Sequence, residues 1–462
     1  MNRLLVLDLP GLSLKHIAQM PALSRLAREG CSLPLEVVTP AVTCSVQSAF
    51  LTGTMPGENG IVGNGWYFRD LNETFFWRQS NALVQGEKVW EAARKIDPAF
   101  TVANMFWWYN MYSSADYSAT PRPLYLADGR KIPDCYAHPP ELRDELTRML
   151  GPFPLFRFWG PAADISSTRW ITEASLHVLE KYAPTLTLVY LPHLDYNMQR
   201  LGPNHPDIQG DLEALDKECA RLLDYAREKN MRALIVSEYS ISAVQGPVFL
   251  NRILRKAGWL RVKNELGREA PDFGASDAFA VCDHQVAHVY VKNPRLVPEV
   301  QRTLEAQAGV DIVLDHEGKK EYGLDHERSG ELVALAEPDF WFSYYHWLDD
   351  SRAPDYARTV DIHRKPGYDP VELFIDPALR FPKLAIGKRL LKKKLGFRSL
   401  MDVIPLDASL VRGSHGRISP RSEDSPAFLS SRKLEEESLH ATRLKPLMLE
   451  MIFGKERLRS PE

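Results

Sequence analysis

The sequence predicts an α/β fold, a largely parallel sheet covered by helices on both faces. Three observations carry this expectation. Short, near-continuous apolar runs recur at "RLLVLDLPGL" (3–12), "TLTLVYLPHLD" (185–195) and "RALIVSEYS" (232–240), the pattern of strands buried on both sides. Helical stretches separate them, among them "IQGDLEALDKECARLLDYAREKN" (208–230). Carboxylates stand at the carboxyl ends of the runs, where open α/β sheets collect their chemistry.

Taken in order, the first run is a strand stopped by Pro10 and Gly11, and "SLKHIAQMPALSRLAREG" is a helix closed by Gly30. "LPLEVVTP" is the second strand. It leads into "TPAVTCSVQSAFLTGTMPGENGIVGNGWYF" (39–68), where Thr43, Cys44 and Ser45 open a short helix. "AFAVCDHQVAHVYV" and "GELVALAEPDFWFSYY" alternate more and read as strands near a sheet edge. Residues 97–165 are dense in aromatics and proline with poor periodicity. They are expected to form an insertion, either a small separate core or a lid gripping substrate. Residues 380–400, "RFPKLAIGKRLLKKKLGFRSL", form a basic connector, and the last segment reads as a terminal helix with a frayed tail.

Composition excludes several classes. The 462 residues are 44% apolar and 25% charged with a net charge of −3. That is ordinary for a globular chain and argues against a nucleic-acid polymer as partner. Five scattered cysteines without a CxxC pair argue against a disulfide framework or thiolate zinc site and fit a reducing, cytoplasmic setting. The N-terminal run reads as a strand and not a signal peptide, and no stretch reaches spanning length, so no membrane insertion is expected.

The positions of four oxygen donors are the informative feature. Asp8, Thr43, Asp195 and Glu238 each follow an apolar run and would meet on one rim of the sheet. Read singly, such an aspartate is most often a cap or turn former. Read together, clustered carboxylates repel and call for cations, and two adjacent metal ions suit them. A threonine hydroxyl is a poor nucleophile until a base or a metal activates it. No histidine lies in the segment, so metal is the simpler proposal. The helix start beside Thr43 offers N–H groups to a phosphate. Hydroxyl, carboxylates and anion site together suggest phosphoryl transfer.

These residues resemble a known family. "TPAVTCSVQSAFLTGTMPGENGIVGN" is similar to the threonine-nucleophile segment of type I phosphodiesterases/nucleotide pyrophosphatases, in the alkaline phosphatase superfamily. "VLDLPG", "YLPHLDYNMQRLGP", "VSEYSI" and "VRGSHGRI" resemble its metal-binding segments in the same order. The resemblance implies an alkaline-phosphatase-like αβα sandwich spanning 1–462 as one catalytic domain. It also implies two divalent ions, usually zinc, and a phosphothreonine intermediate at Thr43. Asp8, Thr43 and Glu238 would then serve one metal, Asp195 and His415 the other.

The departures are specific. Gln199 and Tyr239 stand where the family has histidines, and Glu238 where it has aspartate. An oxygen-rich set leans from zinc toward manganese, magnesium or calcium. Asp283 and His284 are expected as replacement metal ligands, with His363 as a further candidate that is also expected on the substrate, and His326 and His193 behind. Val46 stands where the family has a phosphate-contacting asparagine, so Asn64 or Gln47 is expected on the substrate. Trp107, Trp108 and Tyr112 are expected to stack on a leaving group, and Arg122 to pair with a phosphate. The resulting expectation is a metal-dependent hydrolase of a small phosphorylated substrate. A pseudoenzyme or binding protein on the same fold is the alternative of a different class. Phosphomonoesterase, phosphonate hydrolase and phosphomutase activities remain open.

Overall fold

The computed structural model describes residues 1–397, 399–418 and 424–459. Residues 460–462, at the end of the expected terminal helix and frayed tail, lie outside them.

β1 (Leu4–Asp8) is buried along all five residues because it is the middle of the sheet. β2 (Cys31–Glu36), β3 (Val102–Met105), β4 (Tyr117–Pro121), β5 (Cys135–His138), β6 (Leu186–Tyr190), β7 (Arg232–Val236), β8 (Ala427–Ser430) and β9 (Leu439–His440) complete it. The order is β9-β2-β8-β7-β1-β6-β3-β4-β5. β7, β1, β6, β3 and β4 run parallel, while β8 and β5 are antiparallel to their neighbours. In register, Asp8 faces Tyr190 on one side and Val236 on the other. The three central strands therefore end level, and the segments that leave them land on one rim.

Three helices shape that rim. α1 (Thr43–Thr52) buries all ten residues, so it shows no amphipathic period. Gly53, at φ 72°, ends it in a conformation glycine adopts without a side-chain clash. α2 (His193–Leu201) begins just past β6, and α3 (Ile208–Glu228) packs against it. Asp195 therefore lies in the first turn of α2 and not at a strand end, because Pro192 turns the chain into the helix. The N-terminal helical stretch is likewise two pieces, a 3₁₀ turn at Leu14–Gln19 and a helix at Pro21–Glu29, broken where Pro21 follows Met20.

Two further expectations need correction. The stretch 97–165, expected as an insertion, supplies β3, β4 and β5 of the central sheet, and Phe106 and Trp107 sit in the main core. The strands expected near a sheet edge form a separate antiparallel sheet instead, built from 278–283, 286–291, 332–336 and 310–314. That sheet has its own apolar core, including Trp341, Tyr344, Tyr345 and Trp347. His284 occupies the tight turn of its first hairpin, at φ 60°. Among the described residues all five cysteines are free, and no helix is long and apolar enough to cross a membrane.

Candidate active site

The central strands bring Asp8, Thr43, Asp195, Glu238 and His415 to one buried rim, each at most 8% exposed. Gln47, one turn along α1 from Thr43, links two of them. Its amide nitrogen donates to Asp8 Oδ2 at 3.0 Å and to Glu238 Oε1 at 2.5 Å. Its oxygen is held by the Trp108 N–H at 2.7 Å. Asp8 Oδ1 and Glu238 Oε2 are left buried with no partner. Burial pushes Asp8 up to about 7, and burial with Asp8 as neighbour pushes Glu238 well above the carboxylate range. Two carboxyl groups so placed hold a proton or a cation between them.

The second half of the rim is built differently. The Tyr239 hydroxyl donates to Asp195 Oδ1 at 3.3 Å and lies 3.4 Å from Thr43 Oγ1. Since the phenol proton goes to Asp195, the threonine hydroxyl is the donor toward the phenol oxygen. Gln199, one turn after Asp195 on α2, donates to Asp195 Oδ2 at 2.8 Å, and its own oxygen accepts from Tyr368 at 2.9 Å. Burial raises Asp195 to about 7. His415 Nδ1 donates to the Ala41 carbonyl at 2.9 Å, which leaves Nε2 as a bare lone pair 4.0 Å from Asp195 Oδ1. Gly413 lets this segment touch α2: a Cβ there would lie 2.1 Å from the Met198 carbonyl. His284 stacks between Tyr368 (3.5 Å) and His415 (3.7 Å). Burial holds both imidazoles neutral, well below their ordinary range.

A profile of the type I phosphodiesterase/nucleotide pyrophosphatase family matches residues 4–369. The chain belongs to this family. It is thereby a phosphoric ester hydrolase of a kind that generally depends on divalent metal. Similar solved structures include phosphonoacetate hydrolase from Sinorhizobium meliloti 1021, at TM-score 0.64 and 14% identity over 98% of this chain and 96% of that one. Murine ectonucleotide pyrophosphatase/phosphodiesterase 5 follows at 0.59 and 13%, over 97% and 95%. The human form gives 0.59 and 13%, over 98% and 95%. These TM-scores, over nearly the whole of each chain, establish a shared alkaline-phosphatase-like fold. No curated protein matches the sequence.

The donor set is not that of a family member with two imidazole-rich sites. Among the described residues no three His, Cys, Asp or Glu side chains gather as a ligand group. Both Asp195 oxygens are engaged by Tyr239 and Gln199. The Asp8 and Glu238 pair is another matter. Two orphaned carboxylate oxygens beside a hydroxyl fit one hard ion of the magnesium or manganese kind, which needs only one or two carboxylates and completes its shell with water and phosphate.

The other expected residues distribute unevenly. Asn64 accepts from the Cys44 N–H at 3.0 Å and ties its own backbone and amide to Asp283 at 2.8 and 3.1 Å. Asp283 also receives His284 Nδ1 at 2.8 Å. Asp283 is thus the anchor joining the hairpin to the Thr43 helix, where it was expected as a metal ligand. His193 pairs with Asp211 at 3.1 Å, which locks α2 to α3. His326 lies away from the cavity, bonded to Gln85 at 3.3 Å.

A cavity of about 140 Å³ opens from Thr43, Asp195, Tyr239, His284 and His415. Its outer wall is Trp77, Trp108, Trp159, Tyr125 and Phe156, with Arg122, Lys131 and His363 among them. Of the three rings expected to stack on substrate, Trp108 does line it. Trp107 is core, packed 6.2 Å from Phe50, and Tyr112 stands 71% exposed elsewhere. Arg122 is exposed at the mouth. His363 is held down to about 4 by burial.

Tyr368 and Trp159 also line the cavity, and no motif in the sequence marks them. A buried ion cluster places them: Lys365 Nζ sits 2.7 Å from both Asp369 and Glu372, and Glu372 accepts from the Trp159 indole at 2.7 Å. The only sequence signal was the unusual density of charge around "RKPGYDPVE" in a region otherwise without motif.

Proposed function

We propose that the protein hydrolyses a phosphodiester or pyrophosphate through a phosphothreonine at Thr43, with one divalent ion of the magnesium or manganese kind at Asp8, Glu238 and Thr43. The observation that carries this is the file Thr43–Tyr239–Asp195 on the wall of the apolar cavity. The Thr43 oxygen attacks phosphorus as the bond to the leaving oxygen breaks. The Thr43 proton passes to the Tyr239 oxygen as the phenol proton passes to Asp195 Oδ1. A carboxyl group near pH 7 is matched to accept it. The leaving oxygen departs as its anion and is protonated by solvent. Water then attacks the phosphothreonine and loses a proton to solvent, while the departing Thr43 oxygen takes back the proton held on Asp195 through Tyr239. The cation, when bound, neutralises charge on the phosphoryl oxygens.

Two features support the leaving-group class. The tryptophan and tyrosine walls suit a flat or apolar group, and Arg122 at the mouth suits a second anionic group. The test is hydrolysis of an aromatic phosphodiester with magnesium, manganese or zinc, by the native chain and by Thr43→Ala. Turnover supported by manganese or magnesium and lost in the variant supports the proposal. Turnover retained in Thr43→Ala refutes it.

A further inference from the structure

We infer that the helix Pro382–Lys394 docks the protein peripherally on an anionic lipid surface. This inference is independent of the proposed chemistry. None of the thirteen residues is buried, although the helix carries four leucines and isoleucines. It is attached on one side only. Ile386 packs against the second core, and Arg389 pairs with Asp402 at 2.6 Å.

The outward face has a defined pattern. Leu384, Leu391 and Leu395 fall at i, i+7 and i+11, one stripe along the helix. They are 72%, 57% and 65% exposed. Phe381 and Phe397, at 63% and 64%, bracket the helix ends. Lys388 and Lys392 lie beside the stripe, within one turn of its leucines.

Residues 380–398 carry eight Lys and Arg and no Asp or Glu, in a chain whose net charge is −3. Arg389 apart, the helix's five lysines form no ion pair with a described carboxylate. Lys392, Lys393 and Lys394 in the last turn complement the helix dipole, but Lys383 and Lys388 do not.

An ordinary solvated face explains the lysines and leaves the apolar stripe exposed at a cost. A nucleic acid would use the charge and not the leucines. An anionic bilayer uses both: lysines reach the headgroups while the leucines and phenylalanines enter the boundary with the acyl chains.

The experiment is co-sedimentation of the full chain with vesicles of phosphatidylcholine, or of equal parts phosphatidylcholine and phosphatidylserine. We expect binding to the anionic vesicles alone, weakened by salt. Lys388→Glu, Lys392→Glu and Lys393→Glu together should lower partitioning about a hundredfold. Leu384→Ser, Leu391→Ser and Leu395→Ser together should lower it at least tenfold. A Leu391→Trp variant should show a blue-shifted emission on the same vesicles. All these positions are exposed, so melting temperatures should match the native chain. No binding to anionic vesicles overturns the inference. So does a leucine variant that binds them like the native chain while both bind a polynucleotide equally, which would make the helix a simple polyanion site.

Discussion

The Tyr239 ring lies flat on the His415 imidazole, with centroids 3.4 Å apart and planes 4° from parallel. This stack places the phenol oxygen between Thr43 and Asp195.

Placing imidazoles around Asp195 should change the metal. The double variant Gln199→His, Tyr239→His frees both Asp195 oxygens and adds two nitrogen donors. Zinc affinity should rise at least a hundredfold over the native chain in a calorimetric titration, with a smaller change for manganese. Equal affinities in the two proteins would mean that nitrogen donors elsewhere already serve zinc.

The buried carboxyl groups set a pH dependence of stability. Asp8 and Asp195 are raised to about 7 and Asp283 to about 6. Each keeps its proton in the folded chain at a pH where the unfolded chain has lost it. The stability tied to those protons is full below the ordinary carboxylate range and is lost as pH rises toward 7. Each tenfold difference in proton affinity between folded and unfolded chain is worth about 1.4 kcal/mol. The buried imidazoles of His284, His363 and His415 act in the opposite sense, destabilising the folded chain as pH falls below their ordinary range, so the test is a difference between two proteins. Without divalent metal, Asp8→Asn should melt close to the native chain at pH 4 and above it at pH 7. A difference that stays constant over this interval would contradict the burial assigned to Asp8.

Gln47 makes the carboxylate pair tolerable without metal, because one amide serves both. Gln47→Glu replaces that donor with a third carboxylate. The variant should melt lower than the native chain in chelator and recover with manganese, and its manganese affinity should rise about tenfold. If chelator and manganese leave its melting temperature the same, the ion is not at this pair.

The aromatic wall should govern substrate choice more than chemistry. Trp108→Ala and Trp159→Ala should raise KM about tenfold for a bulky aromatic ester and spare a methyl ester. Arg122→Ala should raise KM only where the substrate carries a second negative charge. Equal losses on large and small esters would make the wall purely structural.

Much of this site was legible because its strands are buried on both faces. β1 and β7 read directly as apolar runs, with Asp8 and Glu238 at or just past their ends. Thr43 was marked by the short helix that Gly53 closes. Gln199 and Tyr239 were also visible, as departures from the spaced motif that the sequence resembles. The hidden parts depended on distant pairing. β3, β4 and β5 are only four or five residues long, and they join the sheet because β3 pairs with β6, a partner far along the chain. Tyr368 and Trp159 obey no period, because a buried Lys365 cluster positions them. Asp283 was expected as a metal ligand, but its bond to Asn64 comes from a strand end and a loop meeting across 219 positions.

The most direct test of the account is to trap the covalent intermediate. The native chain is mixed with an aromatic phosphodiester and manganese, quenched in acid during turnover, digested and sequenced by mass spectrometry. The account predicts a phosphoryl adduct on the peptide containing Thr43, localised to that residue and absent from Thr43→Ala. Sustained turnover with no adduct, or with the adduct on Cys44 or Ser45, would contradict it.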